Sequence, residues 1–237
     1  MLQGGGHGGE DSIGRNGRIV VVDAIVFDWD GTLVDSLPAI FDANRQVLAE
    51  YGVPFDRARY LAAYTPDWRL MYQRLGLSDD ALDAAGDRWL ALYRETDAAA
   101  LLPRVPESLA RLSEAGFVMG LVTAGHRDVV EGQLERFGIG RFLPVRVFGS
   151  DPIAAKPHPE PLLRALTDLK RSERVATARY VGDVPDDMRM ARAVGALGIG
   201  IESSIGGRAD LVEAGASEVY PGVAEFVDEL VPATKAR

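Results

Sequence analysis

Four stretches of this chain put acidic, hydroxyl or lysyl side chains where an apolar run stops. The first is Asp28-Trp29-Asp30-Gly31-Thr32, which follows the run Ile19 to Phe27, broken only by Asp23. That pattern reads as a buried strand delivering two carboxylates to the edge of a sheet. Carboxylates beside a core are costly unless they are paired or hold a metal, so Asp28 and Asp30 ask for a cation; a capped strand-loop-helix without chemistry is the plainer alternative. Gly31 permits a tight turn, and Thr32 offers a short hydroxyl to an anionic group held by that turn. Thr123, Ala124 and Gly125 follow Gly120 to Val122 and precede a helix, whose free N–H groups favour an anion. Thr123 there is either a phosphate donor or an ordinary N-cap. Lys156 lies in Ala-Lys-Pro-His-Pro-Glu-Pro, a segment stiffened by three prolines. One ammonium held rigidly beside paired carboxylates would neutralise a phosphoryl group and keep a carboxylate nucleophile ionised. His158 in the same segment reads as a turn residue. The last stretch, Gly182-Asp183-Val184-Pro185-Asp186-Asp187, is another strand end followed by acids and a helix.

These side chains meet only if the strands ahead of them are neighbours in one sheet. After Ser36, placed to cap, and Pro38 in a first turn, Leu37, Ile40, Phe41, Val47, Leu48 and Tyr51 fall on one helical stripe. Further helical patterns cover Tyr60 to Ala63, Trp68 to Leu75 and Leu82 to Tyr93, and prolines 103 and 106 stiffen the way out. From Glu107 the rhythm alternates. Strands are predicted at Phe117–Val122, Val145–Phe148, Arg179–Val181 and Leu197–Ile201, with helices between them and a last helix at Val223–Leu230. Sequential βα units predict an α/β fold, a doubly wound, mostly parallel Rossmann-like sheet with an all-helical insertion. In such a sheet ligands bind beyond the carboxyl ends of the strands, where all four stretches fall. Residues 18–36 and 104–237 are expected to form the core and 37–103 the insertion. The glycine-rich residues 1–17 are expected to be a loose leader, with His7 a solvated side chain.

Composition narrows the function. A formal net charge of -9 works against general nucleic-acid or acidic-membrane binding, so any phosphate must be met by local groups. With no cysteine, disulfides, thiolate metal sites and thiol nucleophiles are excluded, and the cytoplasm is the expected compartment. No apolar run approaches membrane-spanning length.

The string Asp28-Trp29-Asp30-Gly31-Thr32-Leu33-Val34-Asp35-Ser36 resembles the first motif of the haloacid-dehalogenase-like hydrolases, the superfamily of aspartate-nucleophile phosphatases. Thr123 after its apolar run is similar to the second motif, Lys156-Pro157 with Pro159 to the third, and Gly182-Asp183 with Asp187 to the fourth. The insertion resembles the small helical cap of the phosphoglycolate-phosphatase-like branch. Trp29 departs from the smaller or aliphatic residues also usual at its place. The resemblance implies a nucleophile at Asp28 and an acid–base at Asp30, with Thr123 and Lys156 on the phosphoryl group. It implies that Mg²⁺ is held by Asp28, Asp183 and the backbone carbonyl of Asp30, with Asp187 ordering water or Lys156 and Asp186 an extra acid. Gly31, Thr32, Ala124 and Gly125 would line the phosphate site. In the cap, Arg69 is a candidate for an anionic part of the substrate beside Trp68, itself a candidate for packing. Arg127 is a further candidate, with surface exposure the plainer reading. The implied activity is Mg²⁺-dependent hydrolysis of a small phosphorylated metabolite. A phosphosugar mutase or a pyrophosphatase shares the constellation; a dehalogenase or a non-catalytic binding module fits it less well.

Overall fold

The structure is a computed structural model that describes residues 23–95 and 98–232. The expected leader with His7, and residues 19–22 of the apolar run, lie outside the described residues.

Strand β1, Ala24–Phe27, is buried at every position. Ile25 and Phe27 enter one core with Leu109, Leu112 and Phe226, while Ala24 and Val26 enter another with Leu162, Leu166 and Met190. A strand apolar on both faces must sit mid-sheet with helices above and below. Around it lie β4 (Val118–Val122), β5 (Val145–Val147), β6 (Arg179–Gly182), β7 (Leu197–Ile201) and β8 (Glu218–Tyr220), in the order β5-β4-β1-β6-β7-β8 with every pairing parallel. The register sets Phe27 opposite both Leu121 and Val181. The first residues beyond β1, β4 and β6 are therefore neighbours, and they include Asp28, Thr123 and Asp183.

Four helices follow β1: α1 (Leu37–Glu50), α2 (Arg57–Ala63), α3 (Trp68–Leu75) and α4 (Leu82–Glu95). They share a core of their own that includes Val47, Leu48, Tyr60, Met71, Tyr72 and Leu82. Within it the Tyr72 hydroxyl donates to Asn44 Oδ1 at 2.8 Å, so the one buried amide on α1 is satisfied. Of the expected α1 stripe, Val47 and Leu48 are buried but Tyr51 is exposed. The chain leaves and re-enters the α/β part through β2 (Val34–Asp35) and β3 (Ala100–Leu101), a two-stranded antiparallel clip that ties the two crossings together. The remaining helices are α5 (Val105–Glu114), α6 (Arg127–Phe137), α7 (Glu160–Asp168), α8 (Pro185–Val194), α9 (Arg208–Ala214) and α10 (Val223–Leu230). The clip, α9 and β8 were not anticipated. Among the described residues no helix is long and apolar enough to cross a membrane.

Candidate functional site

The tail of β1 builds the centre. The Asp28 N–H donates to Val181 O at 2.8 Å, extending the ladder one residue and fixing the carboxylate at the sheet's edge. The chain then turns back on itself, with the N–H groups of Leu33 and Val34 both donating to Trp29 O at 3.0 Å. Gly31 makes this turn possible twice over. Its φ is +78°, and a Cβ there would stand 2.3 Å from Asp183 Oδ2, so only glycine suits both the backbone and its acidic neighbour. Trp29, the bulky departure from the motif, is fully buried; its indole N–H donates to Gln133 Oε1 at 2.6 Å, anchoring the turn to α6.

Asp28, Asp183 and Asp187 are all buried, and a carboxylate oxygen from each lies within 4.8 Å of the others. Lys156 Nζ, also buried, donates to Asp28 Oδ1 at 2.5 Å and to Asp187 Oδ1 at 3.0 Å. Burial works against charge on this lysine, but the Asp187 and Asp28 carboxylates outweigh it and hold its pKa up. For the carboxylates burial prevails. It pushes Asp28 up to about 7 against the pull of Lys156, and it raises Asp183 strongly, with Asp28 adding repulsion. Asp187 Oδ2 accepts the N–H groups of Asp183 and Val184 at 3.1 and 3.2 Å, so it both shapes the β6–α8 turn and steadies Lys156. A Cβ on Gly182 would fall 2.3 Å from that oxygen, which excludes any larger residue from this strand end.

Three acids facing one ammonium leave uncompensated negative charge whenever they ionise, which is the state a cation would select. Asp183 Oδ2 is buried without a hydrogen-bond partner. A buried, unpartnered carboxylate oxygen beside two further carboxylates is the donor set of a hard divalent cation, and the residues present fit one.

The other expected residues are placed as follows. Asp30 is half-buried; Ser36 Oγ donates to its Oδ1 at 2.5 Å, and burial raises its pKa against that bond. Ser36 makes no capping bond to α1, contrary to expectation: its backbone is in the αR region rather than the extended one an N-cap adopts, and its hydroxyl donates to Asp30. Thr123 is buried and its Oγ1 accepts the Gly125 N–H at 2.9 Å. Thr32 Oγ1 is buried with no hydrogen-bond partner. Ala124 is exposed, with its backbone packed against Gly149. Asp186 does not join the cluster: Arg189 Nη1 donates to it at 2.6 Å on the surface of α8. Arg69 pairs with the exposed Asp83 and lies over the Trp68 ring at 4.7 Å, so its guanidinium is engaged within the helical block. Trp68 in turn packs over Gly86 of α4. Arg127 pairs with Asp151 at 2.5 Å and covers Phe148. His158 is an exposed turn residue whose Nδ1 accepts the Glu160 N–H at 3.2 Å. Gln133 and Tyr93, which stand beside Trp29 and Asp30, carried no motif or periodicity that marked them as site residues.

The sequence model of the family described as haloacid dehalogenase-like hydrolase matches residues 25–201. The phosphoglycolate phosphatase of Synechococcus elongatus is 30% identical over 204 residues, spanning 81% of this chain and 90% of that protein. Among solved structures, a haloacid dehalogenase-like family hydrolase from Streptococcus pneumoniae is 25% identical, with a TM-score of 0.76 over 88% of this chain and 98% of that one. A Thermotoga maritima protein carrying the provisional name beta-phosphoglucomutase shares the fold alone, at 23% identity and a TM-score of 0.69 over 90% of this chain and 100% of that one.

Proposed function

The chain belongs to the haloacid dehalogenase-like hydrolases, and from that premise we propose that it is an Mg²⁺-dependent phosphatase acting on a small, phosphoglycolate-like phosphomonoester through an aspartyl phosphate. The observation that carries the reading is the grip of Lys156 on Asp28 and Asp187 beside the unpartnered oxygen of Asp183. An ammonium 2.5 Å from Asp28 favours its ionised form, the form that attacks, and lies where an incoming phosphoryl oxygen needs positive charge.

In this reading an Asp28 oxygen forms a bond to phosphorus as the bond to the leaving oxygen breaks. Asp30, whose raised pKa suits it to hold a proton, gives that proton to the leaving oxygen. Asp30 then takes a proton from a water that attacks phosphorus; the bond to Asp28 breaks and inorganic phosphate departs. Thr32 and Thr123 offer hydroxyls, and the backbone of Ala124 an N–H group, to the phosphoryl oxygens, while the Gly125 N–H holds Thr123 Oγ1 in place. Asp28, Asp183 and the backbone carbonyl of Asp30 would hold Mg²⁺, which when bound neutralises the excess negative charge of site and substrate. Asp187 positions Lys156 and the turn that carries Asp183.

The four-helix block, residues 37–103 with its connections, is the cap of this reading, and the α/β part to either side is the catalytic core. Contacts of Arg57 Nη2 with Ser204 O at 2.9 Å, and of Ile205 with the block's apolar core, support closure over the strand ends. The test is phosphate release from phosphoglycolate, sugar phosphates, pyrophosphate and a small aryl phosphate, with Mg²⁺ and with chelator. Metal-dependent release is expected. Isomerisation of a sugar phosphate without release would favour a mutase, and undiminished release after chelation would overturn the metal assignment.

A further inference from the structure

Among the described residues, Tyr180 is the one aromatic side chain in the core layer formed with Val26, Val122, Leu162, Leu166 and Met190, and it is wholly buried there. A tyrosine in an otherwise aliphatic layer brings a hydroxyl that must find a partner. Tyr180 Oη donates to Val122 O at 2.9 Å, the carbonyl just before Thr123. Tyr180 stands on β6 opposite Val26 of β1, and β1 lies between β6 and β4, so the side chain crosses β1 to reach the end of β4. One residue thereby ties together the three strands that lead to Asp183, Asp28 and Thr123.

The same ring has a second neighbour. Lys156 Nζ lies over its face, 5.3 Å from the centroid. That is within reach of the ring's quadrupole, which attracts a cation most where water is excluded, and Lys156 is only 6% exposed. An ammonium has three N–H groups to donate. Two N–H···O bonds go to Asp28 Oδ1 and Asp187 Oδ1, at 2.5 and 3.0 Å. A hydroxyl or carbonyl in the ring's place would accept the third. A ring face holds the charge without an oxygen to capture that N–H, which stays available to a phosphoryl oxygen. Burial, with the Asp187 and Asp28 charges nearby, holds the Tyr180 pKa well above its usual value, so the hydroxyl stays a donor to β4.

We propose that Tyr180 is a positioning residue of the reaction: its ring fixes the Lys156 ammonium between Asp28 and Asp187, and its hydroxyl fixes the strand end that presents Thr123. This inference rests on the phosphatase reading, in which Lys156 and Thr123 meet the phosphoryl group.

The test separates the ring from the hydroxyl. The single-turnover rate of phenol release from an aryl phosphate at saturating Mg²⁺ follows the attack by Asp28, and competitive inhibition by inorganic phosphate follows the grip on the phosphoryl group. Tyr180→Phe keeps the ring, so it should lose less than about threefold in that rate while inhibition by phosphate weakens about two- to tenfold. Tyr180→Leu removes the ring and should slow release by about tenfold or more. Phenylalanine bearing one, two or three ring fluorines at position 180 keeps the shape and drains the negative face. Release should then slow stepwise, by about tenfold at three fluorines, with Tm within about 2 °C of Tyr180→Phe. The fluorinated series gives the answer even where Tyr180→Leu fails to fold. A flat series, or phosphate inhibition unchanged in Tyr180→Phe, would overturn the inference and leave the phosphatase reading standing. A wild type that releases no phosphate from the aryl ester would defeat both.

Discussion

Gly31→Ala should uncouple stability from metal binding in a way that a matched control does not. The residue has φ +78°, and alanine in the left-handed region costs roughly 1–2 kcal/mol. The new Cβ would also stand 2.3 Å from Asp183 Oδ2 and 2.8 Å from its Cγ, whereas ordinary contact begins at 3.4 Å. The carboxylate must therefore retreat by about 1.1 Å, the difference between 3.4 and 2.3 Å. It has little freedom to do so, being 1% exposed, with its own carbonyl pressed against Gly206. Gly52 supplies the control: its φ is +68° and a Cβ there meets nothing within 4 Å. Backbone strain should cost both variants about 1–2 kcal/mol in urea unfolding with chelator present, roughly 2–8 °C in Tm, and the clash with Asp183 should cost Gly31→Ala about 1–3 kcal/mol more. Only Gly31→Ala should also weaken Mg²⁺ binding, by about 10–100-fold in a calorimetric titration, because only there does a proposed ligand move. Wild-type Mg²⁺ affinity in Gly31→Ala, or an equal loss of affinity in Gly52→Ala, would refute the reasoning.

Two further outcomes follow from the buried charges. Lys156→Met strands the carboxylates of Asp28 and Asp187, and breaking such a buried pair should cost about 3–5 kcal/mol in urea unfolding with chelator, part of it restored by Mg²⁺; a loss below about 1 kcal/mol would mean that the acids are protonated or solvated. The pH dependence has a definite sign, since Asp28 moves from an ordinary 3.8 to about 7 on folding without metal. Between those values the native state binds more protons than the unfolded chain, so metal-free stability should fall as pH rises, and the Tm gain from Mg²⁺ should be larger at about pH 8 than at about pH 5. A gain that is flat or larger at the acid end would contradict the assignment.

What the sequence made legible was whatever has a local signature. β1 is a continuous apolar run, and α4 and α6 show helical periodicity, so their types and approximate limits could be read from spacing alone. The acids and Lys156 are marked by the strand ends and prolines beside them, which is why residues as distant as 28 and 187 could be grouped before any contact was known. The two-residue strands β2 and β3 are too short for periodicity, and pairing across 66 positions, Val34 with Leu101, leaves no local trace. Ser36 illustrates a different limit. Its position fits an N-cap, and only the fold shows its backbone in the αR region with the hydroxyl donating to Asp30. Tyr93 is a related case: an aromatic on a helix stripe reads as packing, and an unpaired hydroxyl is visible only once its surroundings are known.

The central claim is that Asp28 carries the phosphoryl group and Asp30 moves the proton. It is tested most directly by mass spectrometry of acid-quenched protein after mixing with an aryl phosphate and Mg²⁺. Wild-type protein should carry the phosphoryl group on Asp28 alone, and Asp28→Asn should carry none. Asp30→Asn should still bind Mg²⁺ and should accumulate the aspartyl phosphate, because breakdown then lacks the group that accepts the proton from water. A phosphoryl group on any residue other than Asp28, or Mg²⁺ affinity lost as fully in Asp30→Asn as in Asp183→Asn, would contradict the account.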